Sequence, residues 1–96
     1  MAVYKLSGKA GADVEDIYED TIENFGIEQA RKYLHGLGDC FKALAENPLQ
    51  GRAADELASE LRRYEYQSHV VFYREVEQYT LIVRVLHKSM DFARHV

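Results

Sequence analysis

The most apolar part of the chain is the stretch Ser68–Asp91, in which two apolar runs flank a polar corner. The runs, Val70–Tyr73 and Tyr79–Leu86, are rich in β-branched and aromatic residues and predict a β-hairpin. The second run is apolar on both faces except at Arg84, and strict alternation would place Ile82, Arg84 and Leu86 on the same face. A strand of this kind is covered on both faces. The chain's own helices are expected to supply one cover, and the other face is a candidate partner surface.

Two stripes of apolar residues recur at steps of three and four in the first half of the chain, and they predict two helices. The first is expected over Ala10–Asn24, with Ser7 as its N-cap. The second is expected over Glu28–Glu46 and ends before Pro48, because a residue preceding proline avoids the helical region. A short loop between them predicts an antiparallel helical hairpin. The predicted core stripe of the second helix is Leu34, Leu37, Phe41 and Leu44, facing Val14 and Ile17.

Shorter segments complete the predicted fold. Val3–Leu6 is expected to form a first strand and Leu61–Tyr66 a strand before the hairpin. Residues 49–60 are expected to be a loop with a turn of helix at Asp55–Glu60. The tail, Ser89–Val96, is expected to form one helical turn. The order β-α-α-β-β-β predicts one α+β domain over residues 1–96, with the helical hairpin on one face of a mostly antiparallel sheet.

Composition narrows the class of protein. The chain has 96 residues, 47% of them apolar, and a single proline, which argues against long disordered segments. It has no apolar run of membrane-spanning length, its first residues are not those of a signal peptide, and its one cysteine has no disulfide partner. We therefore expect a cytoplasmic protein that does not enter a membrane.

The net charge of −4 is unevenly distributed. Residues 1–50 carry nine acidic and five basic side chains, whereas residues 51–96 carry seven of each. A chain without a global basic field is not expected to read nucleic acid directly. The basic side chains of the predicted sheet are Arg62, Arg63, Arg74, Arg84 and Lys88. Arg84, between two valines, either meets an acid of its own chain or awaits a partner.

Catalytic and metal-binding signals are weak. His87, Asp91 and His95 are spaced by four residues, but no pair of residues has recognised zinc or iron spacing. The sequence contains no glycine-rich phosphate loop and no nucleophile elbow. We therefore expect no metal, no cofactor and no enzymatic activity.

Four blocks of sequence, in order, resemble the ParE toxins of the RelE/ParE superfamily. They are YKLSGKAGADVEDIYEDTIENFG, AENPLQGRAADEL, LRRYEYQSHVVFYR and LIVRVLHKSMD. The resemblance implies a toxin of a type II toxin–antitoxin system that inhibits DNA gyrase. Its implied partner is a ParD-type antitoxin, whose C-terminal segment wraps the toxin. One departure is Gly8, where the family often has proline at the first helical position.

Two sets of contact residues for these implied partners are expected from the charged end of the last strand and from the strands that are apolar on both faces. The gyrase contact is expected at Arg84, His87, Lys88, Met90 and Asp91, together with the tail up to Val96. The antitoxin contact is expected at Arg62, Arg63, Tyr64, Val70, Phe72, Ile82 and Leu86. The antitoxin is expected to add a helix beside the hairpin and a strand to a free sheet edge, next to Leu61–Tyr66 or Val3–Leu6.

Two alternatives remain open at this point. One is a ribosome-dependent messenger-RNA nuclease of the RelE branch, in which Arg63 and Arg84 would hold the scissile phosphate and His87 would act as acid. No tyrosine follows Tyr79 and Lys88 is the only lysine after Lys42, so the sequence favours the gyrase inhibitor. The other alternative is an interaction module without toxicity.

Overall fold

In the computed structural model, which describes residues 2–96, a helical hairpin covers one face of a five-stranded sheet. The sheet order is β1-β5-β4-β3-β2, with β1 parallel to β5 and every other pair antiparallel. The strands are β1 (Tyr4–Leu6), β2 (Arg52–Ala53), β3 (Arg62–Tyr66), β4 (His69–Val76) and β5 (Tyr79–His87). The helices are α1 (Gly8–Phe25), α2 (Ile27–Glu46) and α3 (Phe92–His95), with a 3₁₀ turn at Pro48–Gln50.

This architecture confirms the predicted α+β class, the helical hairpin and the helical turn in the tail. Two details differ from the prediction. The expected loop over residues 49–60 contains the short strand β2, which pairs with β3. Strand β4 also continues through Val76, so the turn of the hairpin is confined to Glu77–Gln78, where Glu77 has a φ of +50°.

The start of α1 is tied to the sheet. Ser7 Oγ accepts a hydrogen bond from the Ala10 N–H at 3.0 Å, which confirms Ser7 as the N-cap. The same hydroxyl donates to the Val83 carbonyl at 2.8 Å, and the Ser7 N–H donates to the Ile82 carbonyl at 2.9 Å. These bonds fix α1 against β5 from its first turn, so side chains of α1 and β5 meet at defined positions.

A bulge in β5 changes the predicted alternation of side chains. Phe72 is opposite Arg84 and Tyr73 is opposite Ile82, so Val83 is an extra residue without a partner in β4. Val85 therefore joins Ile82 on the helical face, and Leu86 joins Val83 on the opposite face. The expectation that Ile82 and Leu86 share a face is wrong for this reason, whereas Arg84 and Leu86 both follow the bulge and remain on one face.

The helical face of the sheet holds the larger core. Leu37, Phe41 and Leu44 of α2 are buried, together with Ile17 of α1, as the stripes predict. They pack against Val71, Tyr73, Ile82 and Val85 of the sheet, with Val14 and Leu34 partly buried at the margin.

The opposite face of the sheet is covered by the chain itself. Val70, Phe72 and Leu86 are almost fully buried there, under the segment that precedes β3 and under α3. The covering residues are Ala54, Leu57, Ala58, Leu61, Phe92 and Val96. The expectation that a partner supplies this second cover is therefore wrong.

Within residues 2–96, no helix combines the length and apolar character that crossing a bilayer requires.

A tyrosine hydroxyl joins the end of the hairpin to the sheet. Tyr73 Oη donates to the Pro48 carbonyl at 2.7 Å and accepts from the Gly51 N–H at 2.9 Å. A Cβ at Gly51 would overlap that hydroxyl and approach the Arg63 carbonyl. Position 51 is therefore restricted to glycine, and the chain can turn directly from the hairpin into β2.

Two glycines of α2 give a matched stability prediction. A Cβ at Gly36 would overlap the Tyr66 hydroxyl, whereas a Cβ at Gly38 has nothing within 4 Å. Gly36→Ala is expected to be destabilising, because overpacking of about 1–3 kcal/mol exceeds the gain in helix propensity. Gly38→Ala is expected to be stabilising by up to about 1 kcal/mol. Urea unfolding of both variants tests this, and equal shifts of the same sign would contradict the packing.

Candidate partner-binding site

A groove lies where the tip of the helical hairpin meets the β3–β4 turn and the end of β5. Its volume is about 460 Å³. Phe25, at the tip of the hairpin, contributes an aromatic side chain to its wall, and the Phe25 residue is 74% exposed. The other lining residues are mostly polar: Ile17, Asp20, Thr21, Asn24, Gln29, Tyr33, Gln67, Ser68, His69 and His87. An exposed aromatic side chain beside polar groups suits a contact with another protein.

An aromatic cluster forms the floor of this groove. Tyr33 Oη lies 2.7 Å from His69 Nδ1 and 3.4 Å from the Tyr66 carbonyl oxygen. His69 is directly opposite His87 across β4 and β5, and their rings are perpendicular with centroids 5.4 Å apart. His87 Nδ1 accepts from the Ser89 N–H at 3.1 Å. Tyr33 thus anchors α2 to the start of β4, and His87 extends the floor towards solvent.

Burial favours the uncharged forms of two groups in this cluster. It lowers the pKa of His69 below its ordinary 6.5, and nearby His87 lowers that pKa further, against the opposing effect of Asp13 and Asp20. Burial also raises the pKa of Tyr33. A neutral imidazole can accept a hydrogen bond from the Tyr33 hydroxyl, whereas an imidazolium cannot. Protonation of His69 is therefore expected to weaken the contact between α2 and β4.

This arrangement predicts a dependence of stability on pH. Because the folded-state pKa of His69 is lowered, its contribution is fully present above about pH 6.5 and is lost as the pH falls. The melting temperature of the wild type is expected to decrease between about pH 7.5 and about pH 5.5. His69→Asn, whose amide oxygen can replace Nδ1 as acceptor, is expected to lose part of that dependence. An unchanged pH dependence in His69→Asn would contradict this role of His69.

Arg84 has its partner within the chain. Its Nε and Nη2 each donate to the Asp13 carboxylate at 2.8 Å, and its Nη1 donates to the His95 carbonyl at 2.7 Å. Asp13 also accepts from the Val85 N–H at 3.0 Å. The side chains of Arg84 and Asp13 are only 14% and 12% exposed, and the hydrogen bonds to Asp13 raise the pKa of Arg84. Of the two alternatives for Arg84, the structure shows the acid of its own chain, so Arg84 is not free to meet a partner in this conformation.

The other four residues expected at gyrase lie at the exposed end of β5. His87 and Lys88 are exposed, and Lys88 Nζ lies 3.4 Å from a Glu65 carboxylate oxygen. Met90 and Asp91 are exposed just before α3. They form a continuous surface with the groove, because His87 belongs to both.

The residues expected at the antitoxin separate into two groups. Val70, Phe72, Ile82 and Leu86 are at most 1% exposed. They cannot form a contact surface in this conformation, so their assignment to the antitoxin is corrected. Arg62, Arg63 and Tyr64 of β3 are partly exposed. Arg62 Nη1 donates to the Gly51 carbonyl at 2.8 Å, and the Arg63 guanidinium carbon lies 5.3 Å from the centroid of the Phe92 ring.

The residues of the nuclease alternative do not come together. Arg63 is opposite Phe72 on the face covered by α3, whereas His87 is opposite His69 on the helical face. Arg84 is occupied by Asp13. Burial raises the pKa of the Cys40 thiol to about 11, which leaves it a poor nucleophile. Within residues 2–96, no three His, Cys, Asp or Glu side chains are grouped as metal ligands.

Sequence reasoning did not identify the groove. Phe25 and Tyr33 belong to helices whose apolar stripes suggest burial, so neither was expected to line a surface. The available signal was position, because Phe25-Gly26-Ile27 ends one helix and begins the next. A large apolar residue at such a tip lies beyond the sheet that could cover it, and Phe25 and Ile27 are both exposed.

A hairpin of two helices on a mostly antiparallel sheet is the fold of RelE/ParE-like toxins. A solved chain from the chromosomal ParDE toxin–antitoxin system of Pseudomonas aeruginosa superposes with a TM-score of 0.78. The match covers 91% of this chain and 96% of that one, at 22% sequence identity.

The structural match shows the fold, and the similarity of sequences shows the family. The family model for the ParE toxin of the type II toxin–antitoxin system parDE matches residues 4–92. Toxin ParE1 of Caulobacter vibrioides is 40% identical over 96 residues, covering 100% of this chain and 99% of the relative. Toxin ParE1 of Mycobacterium tuberculosis is 39% identical over 94 residues, covering 97% and 96%. The chain belongs to the ParE toxin family of type II toxin–antitoxin systems, within the RelE/ParE superfamily.

Proposed function

We propose that this ParE-family toxin inhibits DNA gyrase in the cytoplasm and is neutralised by a ParD-type antitoxin. The observation that carries the proposal is the continuous exposed surface formed by the end of β5 and the groove, in a chain that belongs to this family. His87 lies at the junction of these two features. An antitoxin in the groove would therefore cover part of the surface offered to the target.

The gyrase contact is assigned to His87, Lys88, Met90 and Asp91 with the exposed side of α3. Arg84 supports this surface indirectly, because its Nη1 holds the His95 carbonyl and thereby positions the tail. Lys88 is 45% exposed despite its ion pair with Glu65 and remains available to an acidic group. Such a surface acts by binding, and the proposal requires no chemical step.

The antitoxin contact is assigned to the groove and to a sheet edge. An amphipathic helix placed in the groove would bury Phe25, which is otherwise exposed to water. An extended segment could pair with β1 or with the end of β3, since both border the outside of the sheet. An antitoxin segment that folds on binding requires a large buried area to offset its ordering, and these two sites together provide one.

Induction in growing cells separates the proposed function from its alternatives. Filamentation with DNA damage is expected, and co-expression of the antitoxin is expected to abolish it. Primer-extension mapping of ribosome-bound transcripts is the accompanying measurement. Codon-positioned cleavage that His87→Ala abolishes would instead identify a messenger-RNA nuclease, and normal growth would indicate an interaction module.

Amide hydrogen exchange on the toxin alone and with its antitoxin tests the second half of the proposal. Protection is expected around Phe25 and Tyr33, at a sheet edge and near His87. Protection confined to the outward acidic face of α1, with no change in the sheet or the tail, would contradict this mode of neutralisation.

A further inference from the structure

An arginine pair lies at the edge of the sheet, on the face away from the helical hairpin. Arg52 of β2 is directly opposite Arg63 of β3. Like charges in this position destabilise a sheet unless an acid compensates them. None of the four ion pairs within residues 2–96 includes either arginine. The fold thus keeps two cations together without an internal carboxylate.

Arg63 is also held in a restricted environment. Its guanidinium lies over the Phe92 ring, 5.3 Å from the centroid, and its Nε is buried without a hydrogen-bond partner. An unpaired buried donor is costly, and a planar guanidinium stacked on an aromatic ring is well oriented for a carboxylate. This geometry favours an anionic ligand that approaches beside Arg63.

A groove of about 270 Å³ begins beside these arginines and follows β3 beyond the end of β2. Its lining consists of Gln50, Gly51, Arg52, Arg63, Tyr64 and Glu65. The one acid among them, Glu65, lies 3.4 Å from Lys88 Nζ, which offsets its charge. The groove therefore combines two cations with one acid, whose charge Lys88 offsets in part.

The backbone of β3 is free along this groove. Strand β2 pairs only with Arg62 and Arg63, so the rest of β3 has no outer neighbour. The Leu61 carbonyl accepts from the Ala54 N–H on the β2 side, and backbone groups alternate every two residues along an antiparallel strand. The N–H and C=O of Glu65 therefore point outward, away from β4, at the free edge.

From this juxtaposition we propose that the β3 edge beyond β2 is the docking site for an extended acidic segment of the antitoxin. The segment pairs with the Glu65 backbone and directs a carboxylate to Arg52 and Arg63. The inference rests on the proposed function, which makes the antitoxin the source of the segment. It adds which edge of the sheet the segment pairs with, which two arginines it meets and that the segment is acidic. A nucleic-acid phosphate is disfavoured as occupant because the chain has a net charge of −4.

The test uses the full-length toxin and a capped pentapeptide, Thr-Val-Glu-Val-Thr, in a chemical-shift titration. Two matched peptides carry glutamine or lysine at the centre. The glutamate peptide is expected to bind at least about fivefold more tightly than either, because a charge-assisted bidentate contact is stronger than a neutral one. It is also expected to slow amide exchange at Glu65.

Variants localise the contact. Arg63→Gln and the exposed Arg52→Gln are each expected to remove most of the preference for glutamate, and circular dichroism checks that both remain folded. Arg74→Gln, an unpaired arginine on the same face in β4, is the control and keeps the preference. Equal affinity for the three peptides, an unchanged preference in both variants, or unchanged exchange at Glu65 would overturn the proposal.

A supercoiling assay on the same samples separates this inference from the proposed function. Gyrase inhibition without binding of the peptide would overturn the docking site and leave the toxin activity in place. Peptide binding without gyrase inhibition would support the acidic-segment site and overturn the proposed target.

Discussion

Asp13→Ala is expected to lower the free energy of unfolding by about 3–5 kcal/mol, the effect of leaving one partner of a largely buried ion pair alone. Asp13 accepts two hydrogen bonds from Arg84 and one from the Val85 N–H. Val85 lies past the part of β5 that pairs with β1, so no strand on that side could satisfy its N–H instead. Its loss therefore affects a charge and a backbone donor at the same place. Urea unfolding monitored by circular dichroism measures the change.

Two further variants establish the cause. Asp16→Ala, an exposed acid three residues further along α1, is the control and is expected to change stability by less than about 0.5 kcal/mol. Asp13→Ala combined with Arg84→Met is expected to recover part of the loss, since removing both charges eliminates the unpaired cation. A double variant no more stable than Asp13→Ala would contradict the ion pair as the cause.

Phe41→Ala is expected to cost about 3–5 kcal/mol, a large part of the stability of a small domain. Phe41 is 4% exposed, and its ring lies 5.4 Å from that of Tyr4, between α2 and the sheet. Phe25→Ala is the matched control, because Phe25 is 74% exposed and its truncation leaves no cavity. Thermal unfolding of both variants is the measurement. An unchanged melting temperature for Phe41→Ala would contradict the core.

The elements of the fold could be predicted because their signals are local. Apolar steps of three and four define α1 and α2, and Ser7 marks the start of α1 through a bond to a residue only three positions away. Strand β2 could not be predicted in this way. It has two residues, Arg52 and Ala53, neither of them a good strand former, and it exists because β3 offers a free edge.

Non-local contacts explain most of the other differences. Asp13 and Arg84 are 71 residues apart. The apolar periodicity of α1 and of β5 does not indicate which acid of α1 meets Arg84. After the bulge at Val83, each residue of β5 points to the face opposite to the one that simple alternation predicts. The second cover of the sheet comes from a loop and a four-residue helix, whose short sequences carry little apolar periodicity.

The exposure of the candidate contact residues was predicted only in part for the same reason. His87 to Asp91 could be placed at the surface from sequence because they lie at the end of the last strand and just after it, where side chains leave the sheet. The apolar residues of β4 and β5 were assigned to a partner because two-sided apolarity does not reveal what covers it. To predict the groove, one would have to place the tip of the hairpin against the β3–β4 turn. That placement depends on the packing of Tyr33, Tyr66 and His69.

Supercoiling by purified DNA gyrase, measured with the toxin alone and with its antitoxin, is the most direct test of the proposed activity. The toxin alone is expected to inhibit supercoiling, and an equimolar amount of antitoxin is expected to restore it. A toxin in which His87 and Lys88 are both replaced by alanine is expected to remain folded and to inhibit much less. Full supercoiling in the presence of an excess of folded wild-type toxin would contradict the account.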